Sequence, residues 1–320
     1  MKKILITGAS GFIGSFLVEA ALAKGWQTWA GLRSSSSKEY LQDERIQFID
    51  LDFSDKGKLK DRISRHIAQE GPWDYVIHNA GVTKCVNPDD FDRVNHLYSK
   101  HLIEALQESG HIPEKFVLMS SLGAHHPGVH TRYGDSKLKA EKILKSQTGF
   151  PYIILCPTGA YGPRDKDYLM VLKMLQSGWN LTVGFEPQTL SFIYVKDLAK
   201  AAILALESPI TNQSYYLSDG NNYSDTEYTN IAKAALGKKR TVKLRIPLWM
   251  LRTASLLSEI LAKARNKPSP LNRDKYEIMK QRDWSCNIFP IAKELGFSAD
   301  YSLKQGLKES VNWYRTKAWL

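Results

Sequence analysis

The sequence predicts an α/β fold: a doubly wound parallel sheet with a smaller, mostly C-terminal lobe. Three observations carry that expectation. Short β-branched runs alternate with longer helical stretches, a glycine-rich turn follows the very first strand, and the alternation fades after about residue 210. With 320 residues, 43% of them hydrophobic, the chain can bury a full core.

Taken in order, "KILIT", "QTWAGL", "IQFIDL", "YVIHN", "KFVLMSS" and "YIILCP" are continuous apolar runs of the kind that parallel sheets bury on both faces. Between them "FLVEAALAKG", "HLIEALQESG" and "KLKAEKILKSQ" have helical character. A closed eight-stranded barrel is the alternative, disfavoured by the early glycine turn and the fading rhythm. Further on, "YSDTEYTNIAKAALG" predicts a helix from near Ser224 to Gly237, with later helices over Pro247 to Ala264 and Pro290 to Leu295. The strongly apolar "PLWMLRTASLLSEILAK" contains Arg252 and Glu259, which makes it a poor membrane span. It is expected to close the core or to lid a substrate pocket, with a membrane-lying helix as the alternative.

The formal charge is +11, and Lys233 to Arg282 carries fourteen Lys/Arg against three Asp/Glu. No helix-turn-helix, RNP-like or zinc-finger pattern accompanies this charge, so nucleic acid is not an expected partner. Anionic substrate, cofactor phosphate and membrane surface remain open. Cys85, Cys156 and Cys286 are scattered without a CxxC pair, which predicts neither a disulfide framework nor a zinc knuckle. The N-terminus lacks the uninterrupted apolar stretch of a signal peptide, so the expected location is cytoplasmic, with no integral membrane segment.

Chemistry is concentrated in two places. "ITGASGFIG" places Gly8, Gly11 and Gly14 between a strand and a helix, where bare backbone, including Ser10, Phe12 and Ile13, can approach a pyrophosphate at the helix N-terminus. After the second strand, where an acidic residue would suit an NAD ribose, stand Arg33 and Ser34. A guanidinium there suits a 2′-phosphate, so NADP is expected, with NAD the lesser alternative and a solvated surface arginine the plain one. In "YGDSK", Tyr133 and Lys137 share one helix face. A nearby ammonium is expected to lower the phenol pKa toward working pH, and Ser121 upstream can hold the same reacting oxygen.

With these motifs on the page the chain resembles the extended short-chain dehydrogenase/reductase superfamily, the epimerase/dehydratase-like branch with its Rossmann fold. The resemblance spans nearly the whole chain, through "TGASGFIG", "DFSD", "HNAG", "SS" at 120–121, "YGDSK", "PTGAYGPRD", "FIYVKDLAKA" and "ELGFSADYSLKQGLKESVNWY". It implies that Asp52 and Phe53 hold the adenine, that Ala80 and Gly81 line the cofactor ribose, and that Lys137 binds the nicotinamide ribose. Tyr133 would be the acid/base with Ser121 its partner, and Pro157 and Thr158 would lie beside the nicotinamide. Residues 1–160, rejoined by 190–218, would bind NADP; 161–189 and 219–320 would form the substrate lobe. Asn95 matches a family asparagine that supports the helix near the active site, or is a plain polar helix residue. A homodimer is an open expectation.

Of the histidines, His125, His126 and His130 have no carboxylate or cysteine at suitable spacing, so no metal is expected and they are placed on a loop bordering the substrate mouth. His78 is expected to pack near the sheet edge. Departures from the family pattern narrow the reaction. Leu122 and Gly123 follow Ser121 where sugar dehydratases carry an Asp-Glu pair, and Leu190 and Ser191 stand where epimerases tend to have an arginine for the diphosphate. The expected reaction is hydride transfer between NADP(H) and a carbonyl or secondary alcohol of a small, largely apolar substrate, resembling dihydroflavonol-reductase-like and 3β-hydroxysteroid-dehydrogenase-like enzymes. The alternatives are an NAD-dependent nucleotide-sugar 4-epimerase and a non-catalytic NADP sensor.

Overall fold

The computed structural model describes residues 1–265, 267, 269 and 271–320. Seven strands form one sheet: β1 Lys3–Thr7, β2 Gln27–Leu32, β3 Ile46–Asp50, β4 Tyr75–His78, β5 Lys115–Met119, β6 Tyr152–Pro157 and β7 Gln213–Leu217. Their order is β7-β6-β5-β4-β1-β2-β3, and every pairing is parallel. The chain starts in mid-sheet, builds outward through β2 and β3, then crosses to β4 on the other side of β1. That reversal opens a crevice at the carboxyl ends of β1 and β4, the place where such sheets bind ligands.

Side chains alternate faces along each strand, so a run of apolar residues supplies two cores at once. Ile4, Ile6, Ile77, Val117, Ile153 and Leu155 enter one core, while Leu5, Val76, Phe116, Leu118 and Ile154 enter the other. Helices α1 Phe12–Ala23 and α5 Val195–Glu207 cover the first face; α2 Lys56–Glu70, α3 Tyr98–Glu108 and α4 Arg132–Lys145 cover the second.

Helix α2 has no counterpart among the helices expected from the sequence. Its "KGKLKDRISRHIAQE" buries only Leu59, Ile63 and His66, too thin a stripe to stand out among cations. Asp55 caps it by accepting from the Lys58 N–H at 3.0 Å. His66 stacks on Trp73 at 4.0 Å, and burial pushes its pKa down to about 4.

Beyond the sheet, Gly159–Tyr161 pairs with Phe192–Tyr194, and Trp179–Val183 pairs with Val242–Ile246. A third core gathers Leu172, Tyr194, Tyr228, Leu303, Leu307 and Tyr314. The helix Asp225–Leu236 has the expected limits, with Ser224 and Glu227 forming a reciprocal cap and Gly237 at φ +69° ending it. The helix expected from Pro290 begins at Phe289, and Ile291 and Leu295 join the first-face core.

The helix Leu248–Ala264 departs from expectation. It buries only Leu251 and Ser255, while Trp249, Met250, Leu257, Ile260 and Leu261 are exposed. At the surface beside it, Glu259 accepts from the Arg273 N–H at 2.8 Å and pairs with that largely exposed guanidinium at 3.1 Å. The apolar stripe is left on the solvent side, so it does not close the core, while Arg252, Ser255 and Leu256 on the rest of the helix border a cavity shared with Arg273, Tyr276, Glu277 and Lys280. Among the described residues no helix is long and apolar enough to cross a membrane.

Candidate functional site

Gly8 follows β1 at φ +65°, a left-handed conformation that favours glycine. A Cβ on Gly8 would lie 2.8 Å from the Ala80 backbone, and one on Gly14 only 2.0 Å from the Gly8 carbonyl oxygen. Glycine therefore lets α1 start directly against the end of β1. Gly11 is its N-cap and offers no side chain, so the N–H groups of Phe12, Ile13 and Gly14 have neither a cap nor an intrahelical partner. This backbone cradle, with Ser10 beside it, fits the pyrophosphate of a dinucleotide.

Arg33 and Ser34 are exposed just past β2. The Arg33 N–H donates to Ser36 Oγ at 3.2 Å, and among the described residues its guanidinium has no ion-pair partner. Asp52 is exposed past β3, and its carboxylate accepts from the Ser54 hydroxyl at 2.6 Å and from the Ser54 N–H at 3.0 Å. Those bonds, aided by the charges of Lys58 and Arg33, hold its pKa below the usual range. The Phe53 ring is buried and stacks on Tyr98 at 6.2 Å, so backbone is what this residue can offer a ligand.

His78 ends β4, a middle strand, and is fully buried; it does not lie at the sheet edge as expected. It belongs to an ordered chain of hydrogen bonds. The Ala80 N–H donates to Thr7 Oγ1 at 3.2 Å, Thr7 donates to His78 Nδ1 at 2.8 Å, His78 Nε2–H donates to Ser99 Oγ at 2.9 Å, and Ser99 donates to the Asn95 carbonyl at 2.7 Å. Burial pushes the His78 pKa down to about 3, which keeps the ring neutral and this sequence of donors fixed.

Asn95 lies in a π-helical turn, Asp92–Leu97, that runs into α3. Its Oδ1 accepts from the Val82 N–H at 2.8 Å, and its Nδ2 donates to the Val82 carbonyl and to Ser136 Oγ, both at 3.0 Å. The asparagine thus ties the loop after β4 to α4. A Cβ on Gly81 would come within 2.9 Å of Asn95 Oδ1 and 3.1 Å of Lys137 Nζ. A side chain there would have to displace the ends of both of these side chains.

Tyr133 and Lys137 both lie on α4, and Ser121 caps the short helix Leu122–His125, accepting from the Gly123 N–H at 3.1 Å. The buried Lys137 ammonium donates to the Met119 carbonyl at 2.9 Å. Tyr133 differs electrostatically from expectation: its pKa is raised. Burial raises it, a hydrogen bond with Ser121 opposes the rise, and Lys137 is not among the influences. Burial also lowers Lys137 to about 8, against the opposing charge of Glu141.

That lysine makes a prediction. Between pH 8 and 10.5 the unfolded chain binds more protons at this site than the folded one, so folding stability contributed here rises with pH across that window. In Lys137→Met the rise should disappear. Urea midpoints of parent and variant, measured at several pH values, should converge as the parent's lysine loses its proton; parallel curves would refute the buried ammonium.

The histidines separate. His126 donates to the Asp283 carbonyl at 2.5 Å and leans on Trp284, and His130 is exposed. His125 donates to Glu141 Oε1 at 2.8 Å, and that carboxylate also accepts from Ser120 Oγ at 2.5 Å. Spacing offered His125 no carboxylate or thiol, yet the fold brings donor atoms of His125, Glu141 and Cys156 within 4.8 Å of one another.

This geometry accompanies a match over residues 4–217 to the profile described as the NAD dependent epimerase/dehydratase family. The chain belongs to that family. It is accordingly an extended short-chain dehydrogenase/reductase, an enzyme of an NAD(P)-dependent family. A ceramide reductase of Caulobacter vibrioides is 27% identical over 319 residues, covering 99% of this chain and 96% of that one. A putative UDP-glucose 4-epimerase of Methanocaldococcus jannaschii is 25% identical over 339 residues, covering 98% of each. The solved UDP-glucose 4-epimerase of Thermotoga maritima superposes with a TM-score of 0.77 at 21% identity, covering 99% of each chain, a likeness of fold.

Two further family-site features were not legible in the sequence. Thr158 Oγ1, one residue past β6, donates to the Ser191 carbonyl at 2.7 Å, and Ser191 Oγ donates to the Trp284 carbonyl at 2.5 Å, so the position expected beside the nicotinamide is tied to the lobe. Asp274, outside the matched segment, accepts from the Tyr133 N–H at 3.2 Å and so supplements the Thr131 cap of α4. No local pattern links residues so far apart in the chain.

Proposed function

We propose that this enzyme is an NADP-dependent reductase that moves hydride between the nicotinamide and a carbonyl or secondary alcohol of a largely apolar substrate. The observation that carries the reading is the convergence of Ser121, Tyr133 and Lys137 around β5, beside the glycine turn and Gly81. Ser121 and Tyr133 would hold the carbonyl oxygen, and Tyr133 would give it the phenolic proton. When bound, the nicotinamide would supply the hydride to the carbonyl carbon. Lys137, with Gly81 leaving it room, would hold the ribose hydroxyls; Asp52, Phe53, Ala80, Pro157 and Thr158 would line the rest of the cofactor. Burial keeps Tyr133 protonated at neutral pH, which suits the reductive direction.

On this reading residues 1–160, rejoined by 190–218, hold the cofactor, and 161–189 with 219–320 hold the substrate. The apolar substrate is supported by the position of Leu190, half-buried against the third core where a diphosphate would want a cation. It is supported also by the name of the ceramide reductase relative. Among nearby basic groups, Arg282 donates to the Val183 and Met279 carbonyls at 2.9 and 3.1 Å and is thereby occupied.

The choice of NADP rests on Arg33. Arg33→Ala should weaken NADPH by roughly tenfold to a hundredfold, the range of a lost charge-assisted contact, and leave NADH nearly unchanged. Fluorescence titration with both cofactors checks it, and equal weakening would restore the NAD-dependent epimerase reading. For the substrate, NADPH oxidation is followed across a carbonyl panel, with free UDP and a planar polycyclic alcohol as competitors. Inhibition by the alcohol is expected. Micromolar inhibition by UDP, competitive with the carbonyl, would instead make a sugar nucleotide the substrate.

A further inference from the structure

The helix Leu248–Ala264 wears its hydrophobic side outward. At 3.6 residues per turn, Trp249, Met250, Leu257, Ile260 and Leu261 fall, with only Thr253, Ala254 and Ala264 among them, in an uncharged arc of about 140°. The five large side chains are 46% to 68% exposed. A packed helix places such a stripe against its own core; here the side turned inward buries only Leu251 and Ser255.

A second apolar surface leads into it. In the pair Trp179–Val183 and Val242–Ile246 the register sets Trp179 beside Val242 and Leu181 beside Leu244, on one face of the two-stranded ribbon. All four are exposed. Only Pro247 separates this ribbon from the helix. Exposed apolar area of this extent marks a surface that meets something other than water.

The surrounding charge says what. Lys239, Arg240, Arg252, Lys263, Arg265 and Lys267 are all exposed, and among the described residues none is in an ion pair. A second copy meeting this face by twofold symmetry would bring like charges together around the apolar stripe. A bilayer bearing anionic lipid offers an apolar interior below a negative surface, which matches both features.

We propose that the helix Leu248–Ala264, with the ribbon that precedes it, docks this enzyme onto an anionic membrane surface, from which it takes a lipid-borne carbonyl. The lipid origin of the substrate rests on the proposed reduction of an apolar carbonyl; the docking rests on the exposed face alone. The link to the site is short. The next helix, Arg273–Met279, carries Asp274, whose carboxylate holds the Tyr133 N–H.

The test is flotation of the full chain, with NADPH present, on vesicles of phosphatidylcholine with and without phosphatidylglycerol. Binding is expected to be at least about tenfold greater to the anionic vesicles and to fall in about 0.5 M salt. Leu257→Asp combined with Ile260→Asp alters only exposed positions. It should lose vesicle binding by about tenfold or more and keep its reduction rate on a water-soluble ketone. Absence of flotation on anionic vesicles, or flotation untouched by the double variant, would overturn the proposal. So would a parent that sediments as a dimer while the double variant sediments as a monomer, because a second copy would then cover the face. Vesicle binding without reduction of any carbonyl would sink the proposed reaction and leave the docking in place.

Discussion

Tyr133→Phe is expected to lower kcat by about a hundredfold to ten-thousandfold while leaving the Kd for NADPH within about twofold, as deletion of one acid/base group should. The ring itself is retained. It packs edge-on against Phe91 with centroids 6.2 Å apart, and phenylalanine can keep that contact. What disappears is the hydroxyl, which burial keeps protonated. Lys137→Met should damage both turnover and cofactor affinity, which separates a proton donor from a binding group. Single-turnover rates with NADPH and a reducible ketone, alongside cofactor titration, check the pair. A Tyr133 variant retaining most of its rate would remove the phenol from the chemistry.

The second large effect is steric. Gly14→Ala would force a methyl group to within 2.0 Å of the Gly8 carbonyl oxygen and 2.8 Å of the Ala9 Cα, both backbone atoms with no flexible end to swing aside. Helix α1 would have to withdraw from the turn and take the donor cradle with it. The expected cost is about 3 kcal/mol of folding stability or more, at the upper end of overpacking effects, with cofactor affinity reduced at least about tenfold. Gly25→Ala is the control. Unlike Gly14 it has a positive φ, +72°, but its Cβ would meet nothing within 4 Å, so it should lose about 1 to 2 kcal/mol through conformation alone and bind cofactor normally. Denaturation midpoints and NADPH titrations of the two variants decide it; equal behaviour would refute the close approach at Gly14.

The sheet and its cofactor turn were legible because their determinants are local. The strand "KILIT" declares both faces buried, and Gly8, Gly11 and Gly14 sit at fixed offsets from it. The shared helix face of Tyr133 and Lys137 follows from four-residue spacing in the same way. What lay hidden depends on residues that meet only after folding. Helix α2 is held by Leu59 and Ile63 against a core assembled from distant strands, so its own pattern is faint. The phenol pKa moves with burial, and spacing says nothing of burial; hence the lowering expected from Lys137 gives way to a rise in which Lys137 has no part. Glu141 and Cys156 approach His125 through α4 and β6, and Asp274 reaches Tyr133 across a separation of 141 residues. The outward stripe at Leu248–Ala264 is the clearest case, since an amphipathic period names a face without saying which way it turns.

The hydrogen bond from Tyr133 to Asp274 bears on how enzymes of this kind can be recombined. The family profile ends at residue 217, so a chimaera that grafts a foreign C-terminal lobe onto residues 1–217 would inherit every group assigned here to cofactor and proton transfer. It would still lack this carboxylate at the start of α4. An interchangeable lobe therefore has to supply more than a pocket: it needs an acceptor for that one backbone N–H, or the host must accept a less firmly seated tyrosine.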